Sequence, residues 1–324
     1  MKEELKSKIF IAGRGGQVGS AIERKFRSEG YSNIVGLRSK ELDLRNQEEV
    51  KRYFDKERPE YVILAAAKVG GIQANIESPA EFLYENLAIQ NNIIEYSRQY
   101  KVKRLLFLAS SCIYPRLAHQ PMKEDYLMSG KLEPTNEGYA IAKIAGLKMC
   151  EYYNKQYGTN YISVMPCNIY GYGDNFSPIR SHVVAALIRK VHEAKVKKSK
   201  LISVWGTGNA RRELMFVDDL ADACFYLFHK FSENDFFNVG TGFDVSIKEL
   251  IELIMDVVDY HAELEFDDTK PDGMPQKLMD ISKLSDMGWK ARISLKEGIS
   301  KTYNYFIKNV LPKEENGEIE NYGL

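Results

Sequence analysis

The chain has 324 residues, 44% of them hydrophobic, and 45 basic residues balance 45 acidic ones. This length allows one large domain or two smaller ones, and the balanced charge argues against bulk attraction to nucleic acid or an anionic membrane. No apolar run could span a bilayer, the N-terminus lacks a signal-peptide core, and the cysteines and histidines have no zinc or redox spacing. We expect a cytoplasmic, reduced protein without a structural metal.

The first half of the chain alternates short apolar runs with helical patterns, which indicates an α/β fold with a doubly wound parallel sheet. The patterns predict strands over residues 8–12, 33–37, 61–66, 104–109 and 161–165, and helices over residues 18–29, 46–58, 79–99 and 139–157. From about Asn168 the pattern becomes irregular. There, Ser246-x-x-Glu249 predicts a capping box that opens a helix over residues 247–258.

A glycine-rich turn, Gly13-x-x-Gly16-x-x-Gly19, connects the first predicted strand to the first predicted helix. Glycine permits a tight turn and close backbone approach to a pyrophosphate, and the helix N-terminus then faces the phosphates. A turn of this kind directly after the first strand of an alternating pattern predicts a dinucleotide site.

The end of the second predicted strand distinguishes the two common dinucleotides. NAD-selective sites usually carry an acidic residue there, whereas this chain has Arg38-Ser39-Lys40. These cations, with Arg14 as a further candidate, favour the 2′-phosphate of NADP(H). The alternative is that Arg38 and Lys40 only solvate a loop, and Asp43 could still meet the adenine or its ribose.

Tyr139 and Lys143 are four residues apart and therefore share one face of a helix. The ammonium can lower the pKa of the phenol, which is ordinarily about 10, and such a phenol can exchange a proton with a carbonyl or an alcohol. In isolation such a pair commonly lies on a solvated helix face. The predicted nucleotide site earlier in the chain favours the chemical role.

The glycine turn, a strand ending in Ser110-Ser111 and Tyr139-x-x-x-Lys143 together resemble the extended short-chain dehydrogenase/reductases. More specific strings, spread over nearly the whole chain, are similar to one branch of them, the GDP-L-fucose synthase family. These strings cover residues 65–72, 110–115, 132–137, 165–171, 174–176, 181–183 and 270–273.

The resemblance implies an enzyme that reduces the C4 ketone of GDP-4-keto-6-deoxy-mannose with NADPH after epimerising C3 and C5. It implies that Tyr139 protonates the developing alkoxide, that Ser110 steadies the same oxygen, and that Lys143 holds the nicotinamide ribose. Ser111 is adjacent, so the serine assignment could move by one position. Cys112 and His182 match the acid/base pair of the epimerisation, although either residue alone would more often belong to a core.

The resemblance also points to residues for the GDP moiety and for the cofactor. The expected substrate contacts are Ser111, Asn168, Lys190, Trp205, Arg212 and Asp280. The expected cofactor contacts, besides Gly13, Arg14, Gly16, Gly19, Arg38, Asp43 and Lys143, are Gln17, Val18, Leu44, Leu108, Ala109, Pro166, Asn168, Ile169 and His182. Physically, Arg and Lys suit a diphosphate, Trp offers a stacking surface, and a carboxylate can accept from guanine or ribose.

The sequence departs from the family pattern at Gly15, Gly138, Cys167 and Phe216, and in the loop over residues 172–180. We expect these changes to reshape the sugar pocket, whereas Ser110, Tyr139 and Lys143 are intact. Two functions therefore remain open: a bifunctional epimerase-reductase, and a C4 reductase acting on a related GDP-4-keto-6-deoxy sugar such as a heptose. A non-catalytic NADP-binding sensor is a third, less favoured alternative.

We predict an NADP(H)-binding Rossmann domain over residues 1–170, to which segments at roughly 210–240 return. Residues 171–324 are expected to form mainly the GDP-sugar region. The resemblance implies a homodimer formed through the helices over 79–99 and 139–157, in the synthesis of cell-surface polysaccharide precursors.

Overall fold

The structure is a computed structural model that describes residues 4–178, 181–230 and 235–317. The strands of the described residues are β1 (Ile9–Ala12), β2 (Ile34–Val35), β3 (Tyr61–Leu64), β4 (Arg104–Leu108), β5 (Tyr161–Pro166), β6 (Asn168–Tyr170), β7 (Leu201–Trp205), β8 (Arg211–Phe216), β9 (Phe236–Val239), β10 (Asp244–Ser246), β11 (Glu263–Asp267) and β12 (Gln276–Lys277). The α-helices are α1 (Gln17–Ser28), α2 (Gln47–Glu57), α3 (Ile72–Glu77), α4 (Pro79–Gln99), α5 (Glu137–Tyr157), α6 (Val183–Lys197), α7 (Val217–Lys230), α8 (Ile247–Val258), α9 (Ser282–Asp286), α10 (Leu295–Tyr305) and α11 (Leu311–Glu315).

A six-stranded parallel sheet in the order β2-β1-β3-β4-β5-β9 forms the first part of the fold. Its inner strands are apolar runs in which nearly every residue is buried, as expected for strands covered on both faces. Because the strands are parallel, the turn after β1 and the segments after β4 and β5 all emerge at the same edge of the sheet.

Helices cover both faces of this sheet. On one side α1 packs against α7, where the Phe26 ring contacts Phe225 and Phe228 edge to face. On the other side α4 packs against α5, and Gln90 of α4 donates to the carbonyl of Ala142 at 2.7 Å. The doubly wound α/β class expected from the sequence is confirmed.

The second part of the fold is built around β8. This strand pairs with β10, β12 and β6, while β7 and β11 form a separate parallel pair. Helices α6, α8 and α10 enclose a second apolar cluster, which includes Phe176, Ile251 and Phe306. The segment between β8 and β10 leaves this part, because α7 covers the large sheet and β9 joins its edge.

Most predicted elements agree with the structure, and α4 and α8 have the predicted bounds. The capping box is confirmed, since Ser246 and Glu249 exchange side-chain and backbone hydrogen bonds. Helix α3 was not predicted, because it directly follows two glycines. The Asn75 side-chain amide donates to the carbonyl oxygens of both, Gly70 and Gly71. Within the described residues, no helix is both long enough and apolar enough to cross a bilayer.

Glu213 of β8 connects the two parts of the fold. One carboxylate oxygen accepts the backbone N–H groups of Thr241 (2.6 Å) and Gly242 (2.7 Å), which follow β9. The other oxygen accepts the N–H of Met279 (2.7 Å), which follows β12. Burial raises the pKa of Glu213 to about 7, and the three backbone donors oppose that rise. One buried carboxyl group therefore fixes three chain segments together.

Glu213→Gln is expected to lower the free energy of unfolding by about 2 kcal/mol, because either amide orientation turns an N–H toward a buried backbone N–H. Urea denaturation at neutral pH measures the change. Glu252→Gln, at an exposed position of α8, is the matched control. Equal stability of Glu213→Gln and the native chain would show that the hydrogen bonds of Glu213 contribute little to the free energy of unfolding.

Candidate active site

The turn after β1 is a cradle that only glycine can form. Gly13 has a φ of +86°, and a Cβ there would lie 2.7 Å from the backbone nitrogen of Ala66. A Cβ at Gly19 would lie 2.1 Å from the carbonyl oxygen of Gly13. Helix α1 begins after Gly16 without a side-chain cap, and Gln17 and Val18 are its first two residues. Its free N–H groups fit the pyrophosphate of a dinucleotide.

Of the three predicted cations near this turn, Arg14 is paired with an acidic residue, and Arg38 and Lys40 are exposed. Arg14 forms a two-pronged ion pair with Glu23, with Nε–Oε2 and Nη2–Oε1 distances of 2.5 and 2.7 Å. Hydrogen bonding to Glu23 raises the pKa of Arg14. A contact of Arg14 with a 2′-phosphate stays a prediction, and it would compete with Glu23 for the guanidinium. Arg38 is exposed beside the turn, with its Cγ 3.6 Å from where a Cβ of Gly15 would lie, and Lys40 is also exposed.

The remaining predicted cofactor residues lie along the carboxyl edge of the sheet. Asp43 is paired with Arg45 at 2.9 Å, and this hydrogen bond lowers the pKa of the Asp43 carboxyl. Leu44 accepts from Asn92 through its carbonyl. The others end or follow β4 and β5: Leu108, Ala109, Pro166, Asn168 and Ile169.

Ser110, Tyr139 and Lys143 meet where β4 ends against the start of α5. Lys143 is 3% exposed, and its Nζ donates to the carbonyl oxygen of Leu108 at 2.8 Å. The same Nζ lies 5.8 Å from the centroid of the Tyr139 ring. Burial lowers the pKa of Lys143 to about 7.

The pKa of Tyr139 lies above its ordinary value of 10, chiefly because the phenol is buried. A charge on Cys112 raises this pKa further, whereas hydrogen bonding to Ser110 lowers it. The prediction that Lys143 lowers the pKa of Tyr139 is wrong for this structure, because its ammonium is directed at the Leu108 carbonyl. A phenol that keeps its proton at neutral pH can donate it, which is the role that reduction of a ketone requires.

Cys112 lies in the 3-10 turn Ser111–Ile113, directly after Ser110. Its backbone N–H donates to Ser110 Oγ at 3.3 Å. Its Sγ accepts from Asn136 Nδ2 at 3.2 Å and from Lys277 Nζ at 3.3 Å. Burial alone would raise the pKa of the thiol, but the charge of Lys277 and the hydrogen bonds of Ser110 and Lys277 outweigh it and lower that pKa.

Sequence reasoning did not assign a role to Asn136 or Lys277. Asn136 falls in one of the family-like strings, so a local signal existed. Lys277 had no such local signal, because its two-residue strand β12 is brought to Cys112 by pairing with β8. The sulfur and the ammonium come from positions 165 residues apart.

His182 occupies the N-cap position of α6 and is partly buried. Burial lowers the pKa of its imidazole, so the ring is neutral at physiological pH. The preceding residue, Ser181, lies against Gly71, since a Cβ at Gly71 would be 3.4 Å from the Ser181 carbonyl oxygen. His182 is thereby placed near the start of α3, and no described contact joins it to Cys112.

Four of the expected substrate contacts, Lys190, Trp205, Arg212 and Asp280, lie in three places. Trp205 is 53% exposed, and Lys190 and Lys270 lie over its ring at 5.9 and 5.5 Å from the centroid. Arg212 is buried, and its charge acts on Cys112. Asp280 instead accepts from the backbone N–H of Ser282 at 2.9 Å, at the start of α9.

Asp272, which was not predicted as a site residue, connects the region of Trp205 to Arg212. Its carboxylate accepts from the backbone and hydroxyl of Thr207, two residues after Trp205. Its carbonyl accepts from Arg212 at 2.7 Å. An aromatic platform, two lysines and a buried arginine are therefore connected into one surface suited to a base and a diphosphate.

The departures from the family pattern lie in several environments. A Cβ at Gly138 would be 2.7 Å from the carbonyl oxygen of Pro79, so glycine lets α5 approach the start of α4. Phe216 is fully buried against Tyr170 and Tyr172, and Cys167 is also buried. Of the divergent loop, positions 179–180 lie outside the described residues. The expectation that all these changes reshape the sugar pocket is thus wrong for Phe216, which belongs to a core cluster.

Comparison with known proteins identifies the relatives of this chain. Residues 9–240 match the model of the "NAD dependent epimerase/dehydratase family". The chain is 53% identical over 304 residues to GDP-L-fucose synthase 1 of Arabidopsis thaliana, with 94% of each protein covered.

Two solved structures are also similar. One is a GDP-6-OMe-4-keto-L-xylo-heptose reductase from C. jejuni, with 39% identity, a TM-score of 0.87, and 94% of this chain and 98% of that one covered. The other is MlghC, a GDP-mannoheptose C4 reductase from Campylobacter jejuni with NADP bound, with 38% identity, a TM-score of 0.85, and coverage of 94% and 99%.

Gly19→Ala is expected to weaken NADPH binding by about tenfold or more, because the added methyl group would collide with the Gly13 carbonyl and open the turn. Gly15→Ala is the matched control, since its Cβ would meet only Arg38 Cγ at 3.6 Å. Titration of each variant with NADPH, followed by fluorescence, measures the difference. Equal affinities of the two variants would mean that the turn does not hold the dinucleotide.

Proposed function

The chain belongs to the NAD dependent epimerase/dehydratase family and to its GDP-L-fucose synthase branch, and from this we propose that it reduces the C4 ketone of a GDP-4-keto-6-deoxy sugar with NADPH and epimerises the same sugar at C3 and C5. The observation that supports this best is the adjacency of two proton-handling groups. Tyr139 with Ser110 and Cys112 with Lys277 lie together at the carboxyl edge of the sheet, and a charge on Cys112 acts on Tyr139.

NADP(H) is the cofactor, and bound NADPH supplies the hydride. The Gly13–Gly19 turn would hold its pyrophosphate, and Arg38, exposed beside that turn, would meet the 2′-phosphate. Lys143 would hold the nicotinamide ribose, at the same edge of the sheet. The other predicted cofactor residues along β4 and β5 would line the rest of the site.

In the reduction, Tyr139 donates its proton to the oxygen at C4, and Ser110 hydrogen-bonds to the same oxygen. The raised pKa of Tyr139 keeps the phenol protonated, so the acid is available across neutral pH. In the epimerisation, Cys112 and His182 would form the acid/base pair beside the ketone, one taking the proton from carbon and the other, in its protonated form, returning a proton to the opposite face. Lys190, Trp205 and Arg212 would bind the GDP moiety, whereas Asp280 accepts from the Ser282 N–H at the start of α9.

The second candidate is a C4 reductase without epimerase activity that acts on a GDP-heptose. The similarity to two solved heptose-modifying reductases favours this alternative. The retained Cys112, with two donors to its sulfur, favours the bifunctional proposal. A non-catalytic sensor is not supported, because the chain belongs to a family of oxidoreductases.

We also propose a homodimer. Helices α4 and α5 pack against each other, and both expose large apolar or aromatic side chains, namely Tyr84, Ile141 and Tyr152. Such a surface suits burial against a second copy. Sedimentation velocity tests this, and a single species at the monomer mass of 37.1 kDa would contradict it.

The proposed setting is cytoplasmic synthesis of polysaccharide precursors, for which four free thiols are suitable.

Tyr139→Phe is expected to lower NADPH-dependent turnover of the keto sugar by about 100-fold or more, because it removes the proton donor. NADPH affinity is expected to be unchanged within experimental error. Tyr157→Phe, at the far end of the same helix, controls for loss of a tyrosine hydroxyl. Native turnover by Tyr139→Phe would contradict the assignment of the acid.

Solvent exchange separates the two candidate functions. GDP-4-keto-6-deoxy-mannose is incubated with the enzyme in deuterated water without NADPH, and the sugar is analysed by NMR. The bifunctional proposal expects deuterium at C3 and C5, with Cys112→Ser as the negative control. Absence of deuterium, combined with NADPH oxidation on a GDP-keto-heptose, would establish the reductase-only alternative.

A further inference from the structure

Lys277 is placed against the sulfur of Cys112. Its Nζ lies 3.3 Å from Sγ, within hydrogen-bonding distance for sulfur. Among the described residues, no carboxylate lies within 4 Å of this ammonium, whereas Lys68 pairs with two glutamates and Lys143 and Lys190 donate to backbone carbonyls. A partly buried lysine whose described hydrogen-bonding partner is a thiol points to a role at that sulfur.

Asn136 supplies the second donor. Its Nδ2 lies 3.2 Å from the same sulfur, so two N–H groups from different elements converge on one atom. A sulfur that accepts from both an amide and an ammonium is stabilised as the thiolate, because both donors interact more strongly with the charged form.

The charged groups around Cys112 act in the same direction. Lys277 is on β12, and Arg212 is its neighbour on β8, where the strands pair in register. Both cations favour the charged sulfur. Tyr139, on α5, also interacts with Cys112, and burial raises the pKa of its phenol and so favours the neutral form.

The position of Lys277 is fixed by its neighbours in the chain. Gln276 donates to the Asp244 carboxylate at 2.6 Å, and Leu278 donates its N–H to Gln120 Oε1 at 2.9 Å. Met279 is held by Glu213. Three residues next to the lysine in the chain are thus anchored, so its ammonium is held at the sulfur and need not be recruited by substrate.

We propose that Lys277 and Asn136 are positioning residues that hold Cys112 as a thiolate, ready to take a proton from the carbon beside the ketone. The catalytic part of this proposal rests on the proposed function, whereas the state of the sulfur can be tested without it. When the C–H bond breaks, its proton goes to sulfur and its electrons go to the enolate of the ketone. The cation of Lys277 then remains beside a neutral thiol until the proton leaves.

The first test is the pH dependence of Cys112 alkylation by iodoacetamide in the full chain, followed at Cys112 by mass spectrometry. The native protein is expected to react with a midpoint below the ordinary thiol value of about 8.5. Lys277→Gln should move the midpoint up by about one pH unit. Lys277→Arg should restore most of the native profile, and Asn136→Leu should shift it in the same direction as Lys277→Gln by a smaller amount.

Lys248→Gln, at an exposed position of α8, controls for removal of a lysine charge elsewhere. An unshifted profile in folded Lys277→Gln would overturn the proposal, whether or not the enzyme exchanges deuterium. If Lys277→Gln does not fold, thiolate absorbance at 240 nm, native protein minus Cys112→Ser, decides instead. A difference that appears only above about pH 8.5 would overturn the proposal as well.

The second test follows the pH profile of deuterium exchange into the keto sugar without NADPH. Lys277→Gln is expected to displace this profile by the same interval as the alkylation profile. An equal loss of rate at every pH would indicate a merely structural role and overturn the proposal. If the native enzyme exchanges no deuterium yet reduces the sugar, the epimerase half of the proposed function fails, and with it the catalytic use of the thiolate.

Discussion

The parallel register of the central sheet is the constraint on which the site depends. Ala12 of β1 is level with Leu64 of β3, which is level with Phe107 of β4. The chain therefore leaves three neighbouring strands at one edge. The turn at Gly13 can cross this edge only without a side chain, because the backbone of Ala66 lies directly against it. The glycine turn and Ser110 are thus brought to the same edge by the hydrogen bonds of the sheet.

Burial has different consequences for the three ionisable groups at that edge. It lowers the pKa of Lys143, whose ammonium donates to the carbonyl oxygen of Leu108, and it raises the pKa of Tyr139. At Cys112 the same desolvation is outweighed by nearby cations, and the pKa falls. The environment thereby keeps the phenol protonated and favours ionisation of the nearby sulfur, which is the arrangement that the proposed reduction and epimerisation require.

These two kinds of chemistry are carried by different elements. Tyr139, the proposed acid of the reduction, lies on α5, whose position is set by packing against α4 and the sheet. The donors to Cys112 come from the 3-10 turn Pro134–Asn136 and from β12, which belongs to the second sheet. Changes in the second part of the fold can therefore alter the environment of the sulfur while leaving the tyrosine and the cofactor turn in place.

The sequence by itself determined the features that depend on local periodicity. Alternating apolar runs gave the strands and helices, the glycine spacing located the turn, and the four-residue interval placed Tyr139 and Lys143 on one face of α5. Each of these follows from the geometry of a helix, strand or turn within a few residues.

Only the tertiary structure decided which groups meet across long separations. It paired Arg14 with Glu23, directed Lys143 to a carbonyl oxygen, and brought Lys277 to Cys112 from 165 residues away. It also connected Asp272 to Arg212 while leaving Asp280 at the start of α9. Periodicity specifies which face of an element a side chain occupies, whereas the identity of its partner depends on strand pairing and packing that no local pattern encodes.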